Sequence, residues 1–197
     1  MKAVLETCQM LSTAHWVLTP ANATKLFATE RLLRATHAKH PCTVWVRSHV
    51  NNYRWLSLLG LALCSEYTRR FSPPGEVRRH KLEPMLEFLA ANEPGGLPTG
   101  AAKLNVHGVT EPVQCVLPPY RVPGDAVAAY RAYYQGAKKQ ALRWWRPKAA
   151  VVGPTDDHET YAPAWFTARP LHVQKDYQAR LARVQRKRSY ADTLAQQ

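Results

Sequence analysis

The sequence contains few of the residues that build metal centres or disulfide-stabilised secreted proteins. Its four cysteines, Cys8, Cys42, Cys64 and Cys115, stand singly, with no Cys-x-x-Cys pair and no histidine at zinc-finger spacing. Neither a zinc site nor a disulfide framework is therefore indicated. The pattern fits buried thiols in a reducing compartment, and we predict no metal and no cofactor.

Long hydrophobic runs are also missing. The longest apolar stretch, Trp55 to Cys64, is far shorter than the roughly 20 residues that a transmembrane helix needs. The N-terminus lacks the charged segment, apolar run and small-residue cleavage site of a secretory signal. We therefore expect no membrane association and a cytoplasmic location.

The common enzyme motifs are absent too, and acidic residues are few. There is no glycine-rich phosphate-binding motif, no Gly-x-Ser-x-Gly and no His-Glu-x-x-His. Only 14 Asp and Glu face 27 Lys and Arg, which gives a net charge of +13. Such an excess attracts phosphate-rich partners, so we predict a nucleic-acid partner, and DNA in particular. The alternatives are basicity for solubility, an acidic protein or an anionic membrane.

The apolar residues that are present recur at helical spacing. They predict an all-α protein, a compact helical bundle of about six helices with a long irregular loop and a basic C-terminal helical extension. The 197 residues suffice for one core with a tail. We assign residues 1–146 to a helical core domain, 147–170 to an extended arm and 171–197 to a basic C-terminal helix.

Turn-forming residues set the expected limits of each helix. The predicted helices are Lys2–Leu18, a second that Thr24 caps and that ends near Thr36, Cys42–Val50, Asn52–Phe71, Arg78–Asn92 and Asp125–Arg146. Residues 93–123 form the predicted loop. The first helix should bury Val4, Cys8, Leu11 and His15, and the fourth should bury Trp55, Leu58, Leu59, Ala62, Leu63 and Tyr67.

Lys2, Glu6 and Gln9 are spaced so that they project from one face of the first helix. A lysine amine whose pKa is lowered by burial can attack a sugar carbon and form a Schiff base, while a carboxylate stabilises the oxocarbenium charge. We take Lys2 and Glu6 as catalytic candidates, and His40 as an acid/base candidate. The simpler interpretation of the first pair is a solvent-exposed ion pair.

Cations and aromatic residues supply the predicted binding surface. The nucleic-acid-binding candidates are Arg69, Arg70, Arg78, Arg79, His80 and Lys81 around a Pro-Gly turn, Lys138 and Arg146, and Arg180, Arg183 and Lys187 on the last helix. Helix ends with such side chains suit phosphates. Trp45, Tyr53 and Tyr120 are the candidates for stacking on a base. The alternatives are a solvated charged surface and aromatic packing anchors.

Several runs of the sequence resemble one phage family. They are KAVLETCQMLSTAH from Lys2, HPCTVW from His40, YRWL from Tyr53, GLALCSEYTR from Gly60 and RHK from Arg79. Together they resemble small phage proteins labelled as pyrimidine-dimer DNA glycosylases of the endonuclease V type, over residues 2 to 146. The resemblance implies a helical fold and cleavage of the N-glycosidic bond of a damaged pyrimidine. It also implies an imino intermediate formed by an N-terminal α-amine, assisted by a Glu carboxylate.

The chain departs from those proteins at its start. They carry an Asp-Lys-His run before the stretch that corresponds to Lys2, and this run is absent here. We therefore expect that an N-terminal segment is missing or that Met1 is an internal start. If the absent run is catalytic, we expect an inactive protein; otherwise Lys2 or another amine replaces the α-amine.

Taken together, these features predict a DNA-binding phage protein of the host-cell cytoplasm that acts as a DNA glycosylase/lyase on damaged or modified pyrimidines. Two alternatives stay open. One is a non-catalytic accessory protein that binds nucleic acid or host machinery, and the other is an enzyme of phage DNA base modification. A host or phage protein that binds the C-terminal helix is a further predicted partner.

Overall fold

The computed structural model describes residues 2–73 and 75–138, whose regular secondary structure is helical. Their α-helices are α1 (Lys2–Leu18), α2 (Pro20–Ala28), α3 (Pro41–Arg47), α4 (Val50–Phe71), α5 (Glu83–Ala91) and α6 (Ala126–Gln135), with a short 3-10 helix at Pro118–Tyr120. Within these residues there is no β-strand, and one isolated bridge pairs Leu104 with Thr110. The all-α prediction is confirmed here. The predicted arm and C-terminal helix lie outside the described residues.

The described residues belong to two compact units. Residues 2–115, with α1 to α5, belong to the first unit, and residues 116–138, with the 3-10 helix and α6, belong to the second. This boundary falls inside the span 1–146 that we took as one core domain. No helix in the described part of the chain is long and apolar enough to cross a membrane.

α1 is the central helix of the first unit and packs against α2, α3, α4 and α5. The predicted stripe of Val4, Cys8, Leu11 and His15 is buried, as expected. Its burial removes three apolar side chains from water, the main favourable term in folding. Val46, Tyr53, Leu56, Leu86 and Leu89 complete the core around it.

The face that α4 buries differs from the predicted one. Trp55, Leu58 and Leu59 are 39%, 66% and 37% exposed, and Ala62 is exposed as well. The buried face instead consists of Val50, Asn52, Tyr53, Leu56, Ser57, Gly60 and Cys64. Polar residues can face inward because each finds a hydrogen bond. Ser57, for example, donates its hydroxyl to the Tyr53 carbonyl at 2.9 Å.

The second helix begins and ends earlier than predicted. Pro20 occupies its first turn, where a missing N–H and a fixed φ are tolerated, so the Thr19-Pro20 pair starts α2 instead of interrupting it. Glu30 has a φ of 57°, and a residue in this left-handed region ends a helix. The prediction of a helix from Thr24 to Thr36 is therefore wrong at both ends.

Three other helix limits also change. The break between α3 and α4 lies at Ser48 and His49, because the His49 imidazole accepts the Asn51 N–H and so begins α4. α5 begins at Glu83 instead of Arg78, since Pro84 fits only in a first turn. The predicted cap at Asp125 is confirmed by its bond from the Ala128 N–H, but α6 ends at Gln135. Residues 139–146 of the predicted helix lie outside the described residues.

Gly60 permits the close approach of α1, α4 and α5. A Cβ built at this position would lie 2.8 Å from Leu86 Cδ2 and 2.9 Å from Thr7 Cγ2. Both neighbours are buried, so neither can move freely. Glycine is retained in the middle of this helix although it costs about 1 kcal/mol of helix propensity relative to alanine.

We expect Gly60→Ala to destabilise the protein by about 1–2 kcal/mol, because overpacking outweighs the gain in helix propensity. Urea unfolding measures the change. Gly100→Ala is the matched control, since a Cβ there meets no atom within 4 Å. A Gly60→Ala protein as stable as the parent would show that the contact between the helices is looser than described.

Candidate nucleic-acid interface

Five predicted phosphate-binding cations lie where the end of α4 meets the segment before α5. We call Arg69, Arg70, Arg78, Arg79 and Lys81 the basic junction. Two contacts hold the segment against α4: the Arg78 N–H donates to Ser72 Oγ at 2.9 Å, and the His80 ring packs edge-on against Tyr67 at 4.8 Å.

Two of these arginines hold the same carboxylate. Arg69 donates to both oxygens of Glu66, at 2.7 and 2.6 Å, and Arg70 donates to the same group. The hydrogen bond from Arg69 is the largest of the effects that lower the pKa of Glu66 to about 2. The hydrogen bond from Arg70 and the charges of both arginines also lower this pKa, while burial opposes them. Glu66 is therefore ionised at neutral pH, and it offsets part of the positive charge.

Arg79 is also paired with carboxylates, whereas Arg78 and Lys81 are not. Arg79 lies 3.1 Å from Glu83 and contacts Glu87, and both bonds raise the pKa of the guanidinium. Arg78 and Lys81 are exposed and form no ion pair with a described residue. They are the cations of the basic junction that are open to an external anion.

His80 faces inward instead of toward a ligand. It is 8% exposed, and its Nδ1 accepts the Leu82 N–H at 3.2 Å. Burial first, and then nearby positive charge including that of Lys81, lowers its pKa. A neutral, packed imidazole does not suit the phosphate-binding role that we predicted for it.

The three predicted stacking residues have different surroundings. The Tyr53 ring is completely buried, so it cannot receive a base, and that prediction is corrected. Trp45 is half-buried, donates to the Thr110 carbonyl and packs edge-on against Trp55 at 5.9 Å. Tyr120 is half-buried in the second unit beside Tyr133, with ring centroids 5.5 Å apart.

The three predicted catalytic residues, Lys2, Glu6 and His40, are all exposed to solvent. Lys2 Nζ lies 3.3 Å from Glu6 Oε1, and the two side chains are 86% and 50% exposed. The pair is therefore open to solvent, whereas lysine nucleophiles usually lie in desolvated pockets. His40 caps α3, where its Nδ1 accepts the Cys42 N–H at 3.2 Å.

Of the other predicted binding cations, one lies in the second unit and the rest lie outside the described residues. Lys138 is exposed, and its Nζ lies 5.7 Å from the centroid of the Tyr133 ring. Arg146, Arg180, Arg183 and Lys187 lie outside the described residues.

The fold also assembles a group of side chains that sequence spacing did not reveal. His40, Cys42 and Cys115 place their ligand atoms within 4.8 Å of one another, and the two sulfurs are 3.4 Å apart. Cys115 lies 73 residues from Cys42. No short motif could have signalled the group. The prediction of buried thiols is correct for Cys8 and Cys64 but wrong for Cys42, which is half-buried, and Cys115, which is exposed.

A second group missed by the sequence analysis lies in the core. The Tyr53 hydroxyl donates to the Leu89 carbonyl at 3.1 Å and lies 3.0 Å from His15 Nε2. Since the single hydroxyl proton goes to Leu89, the hydrogen bond between Tyr53 and His15 is donated by the imidazole Nε2–H. Nδ1 is buried without a hydrogen-bond partner among the described residues. Burial lowers the pKa of His15 to about 4, which the backbone of Asn92 partly opposes.

Comparisons with protein-family models, curated proteins and solved structures find no match to this chain.

We expect the free energy of unfolding to fall by about 3 kcal/mol through His15 as the pH drops from about 6.5 to about 4. The folded-state pKa of His15 lies below its unfolded value of 6.5, so the unfolded chain binds the proton first. Urea unfolding at a series of pH values measures this loss. His15→Gln keeps a donor to Tyr53 without a titrating ring. Over the same pH range, its free energy of unfolding should therefore fall by about 3 kcal/mol less than that of the parent protein. Equal pH dependence in the two proteins would contradict the assignment.

Proposed function

We propose that this protein binds nucleic acid, and DNA in particular, through the basic junction. The observation that carries the proposal is the pair of exposed cations, Arg78 and Lys81, that no described carboxylate neutralises. They lie beside Arg79 and the end of α4, in a chain with a net charge of +13. Phosphate is the abundant anion that such a surface attracts at long range.

The paired arginines can still take part in binding. Their ion pairs with Glu66, Glu83 and Glu87 hold the guanidinium groups in fixed positions, and Arg69 and Arg79 have side chains that are 53% and 51% exposed. An exposed ion pair contributes only about 0–1 kcal/mol. A phosphate can therefore share or replace the carboxylate at small cost.

We expect Arg78→Ala/Lys81→Ala to weaken DNA binding by about tenfold or more at low salt, because two phosphate contacts are lost. The slope of log K against log salt should become shallower by about 2, and the loss should be similar for all DNA sequences. Fluorescence anisotropy of labelled duplex and single-stranded DNA across a range of KCl concentrations measures both quantities.

The matched control removes two lysines of equal charge elsewhere. Lys25 and Lys103 are exposed and lie outside the basic junction. A Lys25→Ala/Lys103→Ala protein should lose much less affinity. Equal losses in the two double variants would show that only net charge matters and would refute a binding surface at the junction. A third variant of the full chain, Arg180→Ala/Arg183→Ala/Lys187→Ala, tests the predicted contribution of the last helix.

A second candidate function, a DNA glycosylase with lyase activity, is supported by the contact of Lys2 with Glu6. In this reaction the neutral Lys2 amine attacks C1′ of the nucleotide, the C1′–N bond breaks, and the base leaves with a proton. Opening of the sugar ring then yields an imine. Glu6 would stabilise the oxocarbenium charge. The exposure of Lys2 weighs against this candidate, because lysine nucleophiles are activated by desolvation in a pocket.

If the glycosylase proposal holds, borohydride should trap a covalent adduct between the protein and DNA that carries a thymine dimer, uracil or an abasic site. The adduct should disappear in Lys2→Ala and decrease by about tenfold or more in Glu6→Gln, with Lys25→Ala as control. Denaturing gels of labelled oligonucleotides measure it.

The absence of an adduct on all three substrates, or an adduct that persists in Lys2→Ala, would exclude the role of Lys2. DNA binding that depends on the basic junction, without an adduct, would favour a non-catalytic accessory protein. A chemically altered base in the recovered DNA would instead identify a base-modifying enzyme.

A further inference from the structure

We propose that His40, Cys42 and Cys115 form a binding site for a thiophilic divalent metal ion of the Zn²⁺ class. The inference does not depend on the proposed function. It rests on three side chains that belong to the usual ligands of zinc and that meet in space from two separate segments of the chain.

The distances fit metal ligation better than a covalent bond between the sulfurs. A tetrahedral zinc ion with Zn–S bonds of about 2.3 Å holds two sulfurs roughly 3.8 Å apart. Cys42 Sγ and Cys115 Sγ are 3.4 Å apart, so a small adjustment suffices. A disulfide needs about 2.05 Å, and it would require a movement of more than an ångström.

The surroundings allow the ion to enter. His40 and Cys115 are exposed and Cys42 is half-buried, in contrast to the buried Cys8 and Cys64. Because the group lies at the surface, its side chains can adjust around an ion without opening the core. Three protein ligands leave a fourth coordination position for water or another small ligand, as in zinc sites that perform chemistry.

The backbone already orients two of the ligands. His40 directly precedes α3, and Cys42 is in its first turn, so a hydrogen bond of 3.2 Å between His40 Nδ1 and the Cys42 N–H sets the imidazole beside the thiol. Cys115 is held by its own N–H, which donates to the Val113 carbonyl at 3.2 Å. Metal binding would join the segment ending at Cys115 to the start of α3.

The test is titration of the full-length, reduced protein with Co²⁺ and Zn²⁺ under argon, with a phosphine reductant present. We expect one Co²⁺ per chain, thiolate-to-cobalt absorption and visible bands of tetrahedral cobalt, all displaced by one equivalent of Zn²⁺. Zinc at a hundredfold excess over the Kd should raise the Tm by roughly 5 °C.

Variants identify the ligands. Cys42→Ser and Cys115→Ser should each weaken binding by about 100-fold or more and halve the thiolate absorption, and His40→Asn should weaken it by roughly tenfold or more. Asparagine is chosen because its side-chain oxygen can still cap α3. His107→Ala is the control for adventitious binding, because His107 is an exposed histidine outside the group. Circular dichroism verifies that each variant is folded.

Three outcomes would overturn the proposal. The first is no binding below about 100 μM, the second is binding that is equally strong in Cys42→Ser and the parent, and the third is equal weakening in His107→Ala. If the reduced protein binds no metal but the two thiols form a disulfide in air, the pair is a redox pair and the metal site is refuted.

Discussion

The fold depends on two adjacent polar residues of α4 that face into the first unit. The Tyr53 hydroxyl joins α4 to His15 on α1 and to the Leu89 carbonyl on α5. The Asn52 side chain donates to the Trp45 carbonyl at 2.8 Å and to Thr110 Oγ1 at 2.7 Å, and it accepts the Thr110 N–H. Any of these groups left buried without a partner would cost about 1–3 kcal/mol. The bonds therefore fix the rotation of α4 about its axis.

That rotation determines which side chains reach the surface. Because Asn52 and Tyr53 face inward, the apolar row Trp55, Leu58 and Leu59 faces outward, contrary to a prediction based on hydrophobicity alone. α1 was predicted correctly because its buried stripe is largely apolar, so periodicity and tertiary contacts agree. For α4, hydrophobic periodicity and tertiary contacts favour different faces. Asn52 is held inward by Thr110, which is 58 residues away in the sequence. The starts of α2 and α5 could have been predicted from the rule that proline fits in a first turn, but the identity of the buried face of α4 could not.

Some contacts of the candidate site also follow from local sequence spacing, whereas others depend on residues that are distant in the sequence. Glu66 is three and four residues before Arg69 and Arg70 on α4, so these ion pairs are predictable from helical spacing. Arg79 precedes α5, so its pair with Glu83 does not follow from that rule. The inward turn of His80 does not follow from it either, since it depends on Tyr67. The meeting of His40 and Cys42 with Cys115 depends on the path of the irregular segment. Sequence spacing thus identifies the local ion pairs, while the fold determines which cations remain open to a ligand.

Ion pairing explains why a strongly basic chain has a restricted binding surface. Residues 1–138 contain 16 Lys and Arg and 9 Asp and Glu. Five glutamates there, Glu6, Glu66, Glu83, Glu87 and Glu93, hold cations in ion pairs. Acidic groups therefore neutralise particular cations, and the remaining charge acts as a long-range field that attracts polyanions without selecting a sequence. Selectivity for a base or lesion would have to come from aromatic and polar groups, so charge alone supports binding but not a choice of substrate.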